Sequence, residues 1–343
     1  MEINTLAAMQ PKTLVLTGAT GFIGSHIVEA ALLKGWKVVA WSRPEGNIRD
    51  LPSTVRVVKT GFDNPDRIVE TFRQLREESG DIHYIVHNAG LTKTPHTSEF
   101  VTVNAGYTHN FTEGIRKAGI RPEKFVLMSS LAATGPGDPV SLAPLRPEDP
   151  PRPTTLYGQS KRMAEEIVEA VTTFPWNILR PTGVYGPKET DYFLMLKTIR
   201  NGLATRAGIA PHHITFLYVD DLVQAVFRSL ESPVEGRIFH VSDGETYTDI
   251  YYRDLCMELL NPRAFRLTFP LPLVRMVSYI SELAGNLSGK VPTLNRDKYL
   301  TMSALNWKCD ITLTRELLGY KPKVLLREGL EKCIGWYRSN GWL

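Results

Sequence analysis

The chain has 343 residues, of which 43% are hydrophobic and 22% are charged. At about 100–200 residues per domain, this length predicts one large domain or two unequal lobes, and the composition excludes a disordered chain, a coiled coil and a fibrous repeat. Forty Lys and Arg against 36 Asp and Glu give a formal net charge of +4. So slight an excess does not indicate a nucleic-acid-binding surface, and we expect a globular protein without a nucleic-acid partner.

The three cysteines, Cys256, Cys309 and Cys333, are too few and too far apart for a disulfide framework or a CxxC metal site, so we expect no bound metal. The first residues lack the basic start and apolar run of a signal peptide. The charge-free stretch 13–28 contains glycines and is shorter than the ~20 apolar residues that span a bilayer. These features predict a cytoplasmic protein with no stable membrane insertion.

The first 180 residues alternate short β-branched runs with helical patterns. Strands are predicted at 13–16, 37–41, 55–59, 82–86, 125–128 and 176–179, and helices through 27–33, at 65–78 and 99–118, and from about 155. Beyond them we expect a helix near 193–201, strands near 214–219 and 237–241, and mostly helices in the last hundred residues. Strand–helix–strand units at this spacing predict a parallel sheet covered on both faces, because parallel strands need a crossover connection.

These elements predict an α/β fold with a doubly wound parallel sheet and a smaller, mostly helical C-terminal lobe. We expect the sheet domain to span residues 1–180 and the smaller lobe to take up most of residues 181–343. Segments around 214–241 are expected to return to the sheet domain.

A glycine-rich turn, Thr17-Gly18-Ala19-Thr20-Gly21-Phe22-Ile23-Gly24, stands where the first predicted strand becomes the first helix. Gly18 permits the sharp turn, Gly21 lets the backbone approach a pyrophosphate, and Gly24 lets the helix pack close to the sheet. The helix N-terminus offers free N–H groups to the phosphates. This context predicts a dinucleotide site of the Rossmann type. Its expected binding residues are Gly18, Thr20, Gly21, Phe22, Ile23 and Gly24.

The second predicted strand ends in Ser42-Arg43 and carries no acidic residue. An acid at this place bonds the ribose 2′-hydroxyl of NAD, whereas an arginine accepts the 2′-phosphate of NADP. Arg43 can bind that phosphate bidentately and stack on adenine, and the alternative interpretation is a solvated surface arginine. The sequence favours NADP, with NAD possible.

Tyr157 and Lys161 stand four residues apart in a predicted helix and therefore share one face. A nearby ammonium favours the phenolate, so we expect Lys161 to lower the pKa of Tyr157 from about 10 toward the working range of an acid/base catalyst. Ser130, at the end of the fifth predicted strand, can hydrogen-bond the oxygen that gains or loses a proton. The alternative interpretation is an ordinary surface pair on an amphipathic helix.

Six segments in this order resemble those of the extended short-chain dehydrogenases/reductases of the NAD(P)-dependent epimerase/dehydratase group, and the likeness covers almost the whole chain. They are 17–24, His87-Asn88-Ala89-Gly90, Ser129-Ser130, Tyr157 with Lys161, 180–187 and 218–222. The resemblance implies a Rossmann-type NADP-binding domain at 1–180 and a lobe that binds a small-molecule substrate. It also implies a homodimer formed through the helices near 99–118 and 156–173.

By the same resemblance, Tyr157 is the catalytic acid/base, Lys161 holds the nicotinamide ribose, and Ser130 orients the substrate oxygen. Ala89 and Gly90 are expected to line the adenosine side, and Pro181 and Val184 to flank the nicotinamide.

Two departures from the family pattern stand out. The family often has Gly-Asp after the third strand for adenine, whereas Gly61-Phe62-Asp63 displaces the acid by one position, so that Asp63 is a candidate adenine contact. Gly183 stands where Asn is common, which leaves one expected side-chain contact empty.

The resemblance leaves the reaction open among several members of the family. Leu131-Ala132 follows the catalytic serine where dehydratases have Asp-Glu, and these residues cannot donate a proton to a leaving hydroxyl. A nucleotide-sugar epimerase needs cations for its diphosphate, and 211–216 supplies none of permanent charge, so Arg206, Arg237 or Arg263 would have to substitute.

Segment 269–283 is similar to that of 3β-hydroxysteroid dehydrogenase-like and dihydroflavonol reductase-like members, in which an apolar lobe closes over a hydrophobic ketone or alcohol. The alternative interpretation is that the apolar helix in this segment simply packs against its own lobe. We therefore expect an NADP-dependent oxidoreductase that transfers a hydride between nicotinamide and a carbonyl or secondary alcohol of a small, apolar substrate. The alternatives are a nucleotide-sugar epimerase and a non-catalytic NADP-binding sensor or scaffold.

Overall fold

The computed structural model describes residues 11–289, 292 and 294–343. Its centre is a sheet of seven parallel strands in the spatial order β11-β6-β5-β4-β1-β2-β3. These strands are β1 (Thr13–Thr17), β2 (Lys37–Ser42), β3 (Arg56–Lys59), β4 (Tyr84–His87), β5 (Lys124–Met128), β6 (Trp176–Pro181) and β11 (Arg237–Val241). The strand order reverses between β1 and β4, which opens a crevice at the carboxyl ends of these two strands.

Helices cover both faces of this sheet. One face is covered by α1 (Phe22–Leu33), α7 (Val219–Glu231) and α11 (Thr312–Leu318), and the other by α2 (Pro65–Ser79), α4 (Tyr107–Lys117) and α5 (Leu156–Glu169). Leu14 and Leu16 of β1 pack into the first core and Val15 into the second, because successive side chains of a strand alternate between the faces. The predicted doubly wound α/β sheet is confirmed.

The smaller lobe is built from short paired strands and helices. The pairs are β7 (Gly183–Tyr185) with β10 (Phe216–Tyr218), β8 (Leu203–Ala207) with β13 (Phe265–Phe269), and β9 (His213–Ile214) with β12 (Tyr247–Thr248). The helices are α6 (Asp191–Arg200), α8 (Asp249–Leu260), α9 (Leu271–Ser288), α10 (Arg296–Ser303) and α12 (Leu326–Ser339). A third core, rich in tyrosine and phenylalanine, holds these elements together. Within the described ranges, no helix is both long and apolar enough to cross a membrane.

Two predicted elements differ from the structure. The helix predicted at 99–118 is α3 (Ser98–Phe100), then a π-helical turn (Val101–Gly106), then α4. The strand predicted near 214–219 divides into β9 and β10, which pair within the smaller lobe, so that β11 is the strand from this stretch that joins the main sheet.

Candidate active site

A cavity of about 1480 Å³ opens at the carboxyl edge of the main sheet. Its wall begins at the glycine-rich turn, passes the ends of β2, β4 and β5 and the first turns of α5, and continues into the smaller lobe between α6, β8, α9 and α10. Open parallel sheets bind ligands at this edge, where the strand order reverses. The predicted site residues that line the cavity are Gly18, Thr20, Gly21, Phe22, Ile23, Arg43, Ala89, Gly90, Ser130, Tyr157, Lys161, Pro181 and Val184.

The glycine-rich turn leaves no room for side chains at two positions. Gly18 has a φ of +70°, and a Cβ there would lie 2.9 Å from the backbone nitrogen of Ala89. At Gly24, which is not among the lining residues, a Cβ would lie 2.0 Å from the carbonyl oxygen of Gly18. Helix α1 begins directly after Gly21, and its first N–H groups have no intrahelical partner. This cradle fits the pyrophosphate of a dinucleotide.

A chain of hydrogen bonds holds the loop that follows β4. The backbone N–H of Ala89 donates to Thr17 Oγ1 at 2.9 Å, and Thr17 Oγ1 lies 3.0 Å from Nδ1 of His87. Because the Thr108 hydroxyl donates to the Asn104 carbonyl, Thr108 Oγ1 accepts from Nε2 of His87 at 3.1 Å, and Nδ1 is left to accept from the Thr17 hydroxyl. Burial lowers the pKa of His87 to about 3, and the charge of Lys161 adds to the effect. The imidazole in this chain is consequently neutral.

Asn104 holds the same loop from the other side. It lies in the π-helical turn before α4, and its side-chain oxygen accepts the N–H of Leu91 at 2.7 Å, while its amide donates to the Leu91 carbonyl at 3.0 Å. The amide also donates to Ser160 Oγ at 2.9 Å, and the Ser160 hydroxyl donates to the Tyr157 carbonyl at 2.8 Å. Asn104 therefore ties the loop after β4 to α5. The sequence alone assigns no partner to Asn104, because a π-helical turn has no clear residue signature.

Tyr157 and Ser130 both line the cavity. Burial raises the pKa of the Tyr157 phenol above its ordinary value, and the neighbouring Ser130 side chain lowers it by less. The direction is opposite to the predicted one, because the removal of the phenol from water outweighs the neighbouring groups. Tyr157 is therefore protonated at neutral pH in this state of the protein.

Lys161 lies one turn further along α5 and is buried. Its Nζ donates to the Met128 carbonyl at 2.7 Å, and a Cβ at Gly90 would lie 3.1 Å from that nitrogen, so the ammonium sits between the end of β5 and the loop after β4. Burial lowers the pKa of Lys161 to about 8, while the charge of Glu165 raises it. An ammonium has three N–H groups, and the bond to Met128 leaves donors for the hydroxyls of a ribose.

A buried ion pair beside these residues was not predicted. Arg180 donates from Nε and Nη2 to the two carboxylate oxygens of Glu165 at 2.8 and 2.7 Å, and neither side chain is more than 1% exposed. Ser129 donates to the same carboxylate at 2.5 Å. The pair thereby joins α5, β5 and β6 where Ser130 and Lys161 are held. Glu165 stands four residues after Lys161 and shares its helix face, and this spacing is the sequence feature that could have predicted a carboxylate near Lys161.

The smaller lobe also caps α5. The carboxylate of Asp297, on α10, accepts the backbone N–H groups of Leu156 at 3.2 Å and Tyr157 at 3.0 Å. Thr155 accepts the N–H of Gly158 at 2.9 Å. A negative charge at this end stabilises a helix, because the N–H groups of its first turn are otherwise unpaired. The cap connects the smaller lobe directly to the backbone of Tyr157.

The two residues predicted to contact the adenosine half of the cofactor are placed differently. Arg43 lines the cavity at the end of β2, and its guanidinium is 59% exposed and lies 3.3 Å from the carboxylate of Glu45. Asp63 is exposed and is not among the lining residues, whereas Phe62 is buried and forms part of the wall. The displacement by one position turns the phenylalanine inward and the carboxylate outward, so the structure does not support Asp63 as an adenine contact.

The far end of the cavity is lined largely by apolar side chains, with polar and charged ones among them. The apolar ones are Leu194, Met195, Ile199, Leu203, Phe269, Leu273, Val274, Val277, Leu294 and Met302, and the others include Thr198, Thr205, Arg206, Lys298 and Thr301. Helix α9 contributes Leu273, Val274 and Val277 to this wall, while Ile280 and Leu283 of the same helix are 61% and 63% exposed. The helix predicted to be apolar along one face is therefore a cavity wall as well as a packing element.

The glycine-rich turn on a parallel sheet, together with a tyrosine and a lysine on α5 and a serine after β5, defines an extended short-chain dehydrogenase/reductase. The model of the NAD dependent epimerase/dehydratase family matches residues 14–242. This chain belongs to that family of oxidoreductase-type enzymes.

Curated relatives match almost end to end. A ceramide reductase of Caulobacter vibrioides is 27% identical over 96% of this chain and 96% of its own. A UDP-glucose 4-epimerase of Vibrio cholerae is 27% identical over 94% of each chain. Among solved structures, the UDP-glucuronic acid 4-epimerase of Bacillus cereus, in complex with UDP-glucuronic acid and NAD, has a TM-score of 0.73 and 21% identity, and it covers 96% of this chain and 99% of that one. The last likeness shows the shared fold.

Proposed function

We propose that this protein is an NADP-dependent oxidoreductase that transfers a hydride between nicotinamide and a carbonyl or secondary alcohol of a small, apolar substrate. The observation that carries the proposal is the continuity of the cavity, which runs from the glycine-rich turn past Ser130, Tyr157 and Lys161 into a chamber lined largely by apolar side chains. The relative named ceramide reductase supports a lipid-like substrate.

The basic residues that line the chamber do not favour the binding of a nucleotide diphosphate. Of the cations suggested for an epimerase, Arg237 and Arg263 are not among the described lining residues, and Arg206 is paired with Asp249 through a 2.6 Å bond from its Nε. Lys93 also lines the chamber and is paired with Asp191. Lys298, on α10, also lines the chamber. A diphosphate needs charge-assisted partners, and of the three lining cations Arg206, Lys93 and Lys298 the first two are already paired with carboxylates.

The protonated Tyr157 can serve as the acid in carbonyl reduction. A reduced nicotinamide, held by the glycine-rich turn and Lys161, would supply the hydride for the carbonyl carbon. Tyr157, whose pKa is raised by burial, donates its hydroxyl proton to the carbonyl oxygen, so that the product is an alcohol. Ser130 holds that oxygen, and the ammonium of Lys161 stabilises the phenolate that remains on Tyr157.

The experiment measures NADPH consumption with a panel of medium- and long-chain ketones, beside the interconversion of UDP-glucose and UDP-galactose. We expect turnover of apolar ketones, its loss in Tyr157→Phe, and unchanged NADPH binding in that variant. Tyr251→Phe, at an exposed tyrosine on α8, is the matched control. Sugar interconversion without net NADPH consumption would establish the epimerase instead. NADPH binding without turnover of any ketone would favour the sensor or scaffold.

The preference for NADP rests on Arg43. Its exposed side chain lines the cavity beside Ser42, at the end of the strand that neighbours the glycine-rich turn, and lies 3.3 Å from the Glu45 carboxylate, with which a 2′-phosphate would compete. Because an aspartate would repel a 2′-phosphate, Arg43→Asp is expected to weaken NADPH binding more than NADH binding. Equal ratios of the two affinities in wild type and variant would refute the role of Arg43.

Two expectations about the protein as a whole are part of the proposal. They are a homodimer formed through the helices near 99–118 and 156–173, and a location in the cytoplasm. Cys256, Cys309 and Cys333 are free and buried, which supports a reducing compartment. Sedimentation of the purified chain tests the dimer.

A further inference from the structure

In the cavity wall at 182–184, no side chain is free to hydrogen-bond a ligand. The hydroxyl of Thr182 donates to the Thr215 carbonyl at 2.9 Å, and Gly183 has no side chain. Both Pro181 and Gly183 line the cavity next to Val184. A polar group for a ligand at this place has to come from another element.

Helix α6 supplies such a polar group, the hydroxyl of Tyr192. Its hydroxyl occupies the space that a side chain at Gly183 would fill, since a Cβ built on Gly183 would lie 2.3 Å from that oxygen and 3.5 Å from the Cζ carbon of the ring. Tyr192 also lines the cavity, and among the described residues its hydroxyl has no hydrogen-bond partner.

The ring of Tyr192 is held in place. It packs edge to face against Tyr185, Phe216 and Tyr252, with ring centroids 6.3, 5.8 and 6.2 Å apart. The Glu189 carboxylate accepts the backbone N–H of Tyr192 at 2.7 Å and so secures the start of α6. Burial raises the pKa of Tyr192, and nearby carboxylates add to the effect, so the group is a neutral hydrogen-bond donor.

The position of Gly183 limits which part of a substrate this hydroxyl can reach. Met128, the last residue of β5, pairs with Leu179 of β6, and Ser130 and Pro181 each follow two residues later. Neighbouring strands lie about 4.8 Å apart, and Gly183 comes at most ~7 Å beyond Pro181 along the chain. Ser130, Gly183 and Tyr192 line the same cavity, so one substrate can contact both Ser130 and the Tyr192 hydroxyl.

We infer that the Tyr192 hydroxyl is a specificity-determining contact, which hydrogen-bonds a hydroxyl or amide substituent close to the reacting carbonyl of an otherwise apolar substrate. The inference rests on the proposed function and refines its substrate class, from an apolar ketone to one with a polar group next to the carbonyl. The apolar side chains of the cavity contact the hydrocarbon part of the substrate, and the Tyr192 hydroxyl contacts its polar group.

The test compares two probes, 1-hydroxydodecan-3-one and dodecan-3-one, which differ by a single hydroxyl. Their dissociation constants are measured calorimetrically with the enzyme saturated with NADP⁺, which cannot transfer a hydride to a ketone. Wild type is expected to bind the hydroxyketone about tenfold more tightly, and Tyr192→Phe to bind both equally by losing only the hydroxyketone preference. Tyr252→Phe, which removes a hydroxyl from the same aromatic cluster outside the cavity lining, is the control and is expected to keep the preference.

A double-mutant cycle checks the geometry independently. Gly183→Ala places a methyl group against the Tyr192 hydroxyl, whereas in Tyr192→Phe the same methyl meets the ring carbon at an ordinary contact distance. Gly183→Ala is therefore expected to lower the melting temperature clearly in wild type and much less in Tyr192→Phe.

The outcomes separate the two proposals. Equal binding of the two ketones by wild type, a preference that survives Tyr192→Phe, or an identical effect of Gly183→Ala in both backgrounds would overturn the role of Tyr192. Selective binding without NADPH consumption would leave Tyr192 as the selecting group and refute the oxidoreductase function alone.

Discussion

The charge of Glu165 is expected to set the pH range in which Lys161 works. Glu165→Gln keeps the shape of the side chain and removes its charge. Because Glu165 and Lys161 are four residues apart on α5, their Cβ atoms lie about 6 Å apart, and two charges at that separation interact by about 3 kcal/mol at an effective dielectric constant of ~20. The nearby Arg162 and Arg180 offset part of this interaction.

The pKa of Lys161 is about 8 with Glu165 in place, and Glu165 is the group that raises it. Above this pKa the Lys161 side chain loses the positive charge that we propose binds the cofactor. We therefore expect NADPH affinity to fall above about pH 8 in wild type, and the midpoint of that fall to move to lower pH by about one unit in Glu165→Gln. The assay is a fluorescence titration of NADPH over a series of pH values.

The substitution also affects stability, because it leaves Arg180 buried without its counter-ion. Removing one partner of a buried pair costs about 3–5 kcal/mol. Asp221→Asn is the matched control, since the buried Asp221 carboxylate accepts the N–H groups of Lys323 and Val324, away from Lys161. The control is expected to lose stability while keeping the wild-type midpoint. A midpoint that is the same in Glu165→Gln and wild type would refute the electrostatic role.

Three further outcomes are expected. Burial lowers the pKa of His240 to about 3, so the unfolded chain binds an extra proton between pH 3 and 6.5, and stability is lost as the pH falls through that range. In urea unfolding near pH 5, His240→Gln should reduce the pH dependence of the unfolding free energy by about 1.4 kcal/mol per pH unit. An unchanged slope would contradict the assignment. Gly24→Ala forces a Cβ to within 2.0 Å of the Gly18 carbonyl oxygen and should abolish NADPH binding and lower the melting temperature, whereas Gly335→Ala, with open space around it, should do neither. Asn104→Ala leaves the N–H of Leu91 without its partner, at about 1–3 kcal/mol, and should weaken NADPH binding as well as stability; a loss of stability with wild-type affinity would mean that Asn104 serves the fold alone.

The sequence determined the features that depend on local rules. The alternation of strands and helices predicts the parallel sheet, because short apolar runs with crossover helices have few other arrangements. The glycine spacing predicts the turn at Gly18, whose φ of +70° a glycine adopts without strain. The spacing of Tyr157 and Lys161 predicts their common helix face, and both residues line the cavity.

Only the tertiary structure decided the pKa values of these residues and the groups that surround them. The pKa of Tyr157 rises because burial outweighs the neighbouring groups, and burial is a property of the whole fold. Asp297 caps α5 from 140 positions away, and the Tyr192 hydroxyl fills the space beside Gly183 because α6 packs against β7 and β10 there. Contacts between residues so far apart in the chain leave no local pattern, so they follow from how the elements pack and not from the residues on either side of them.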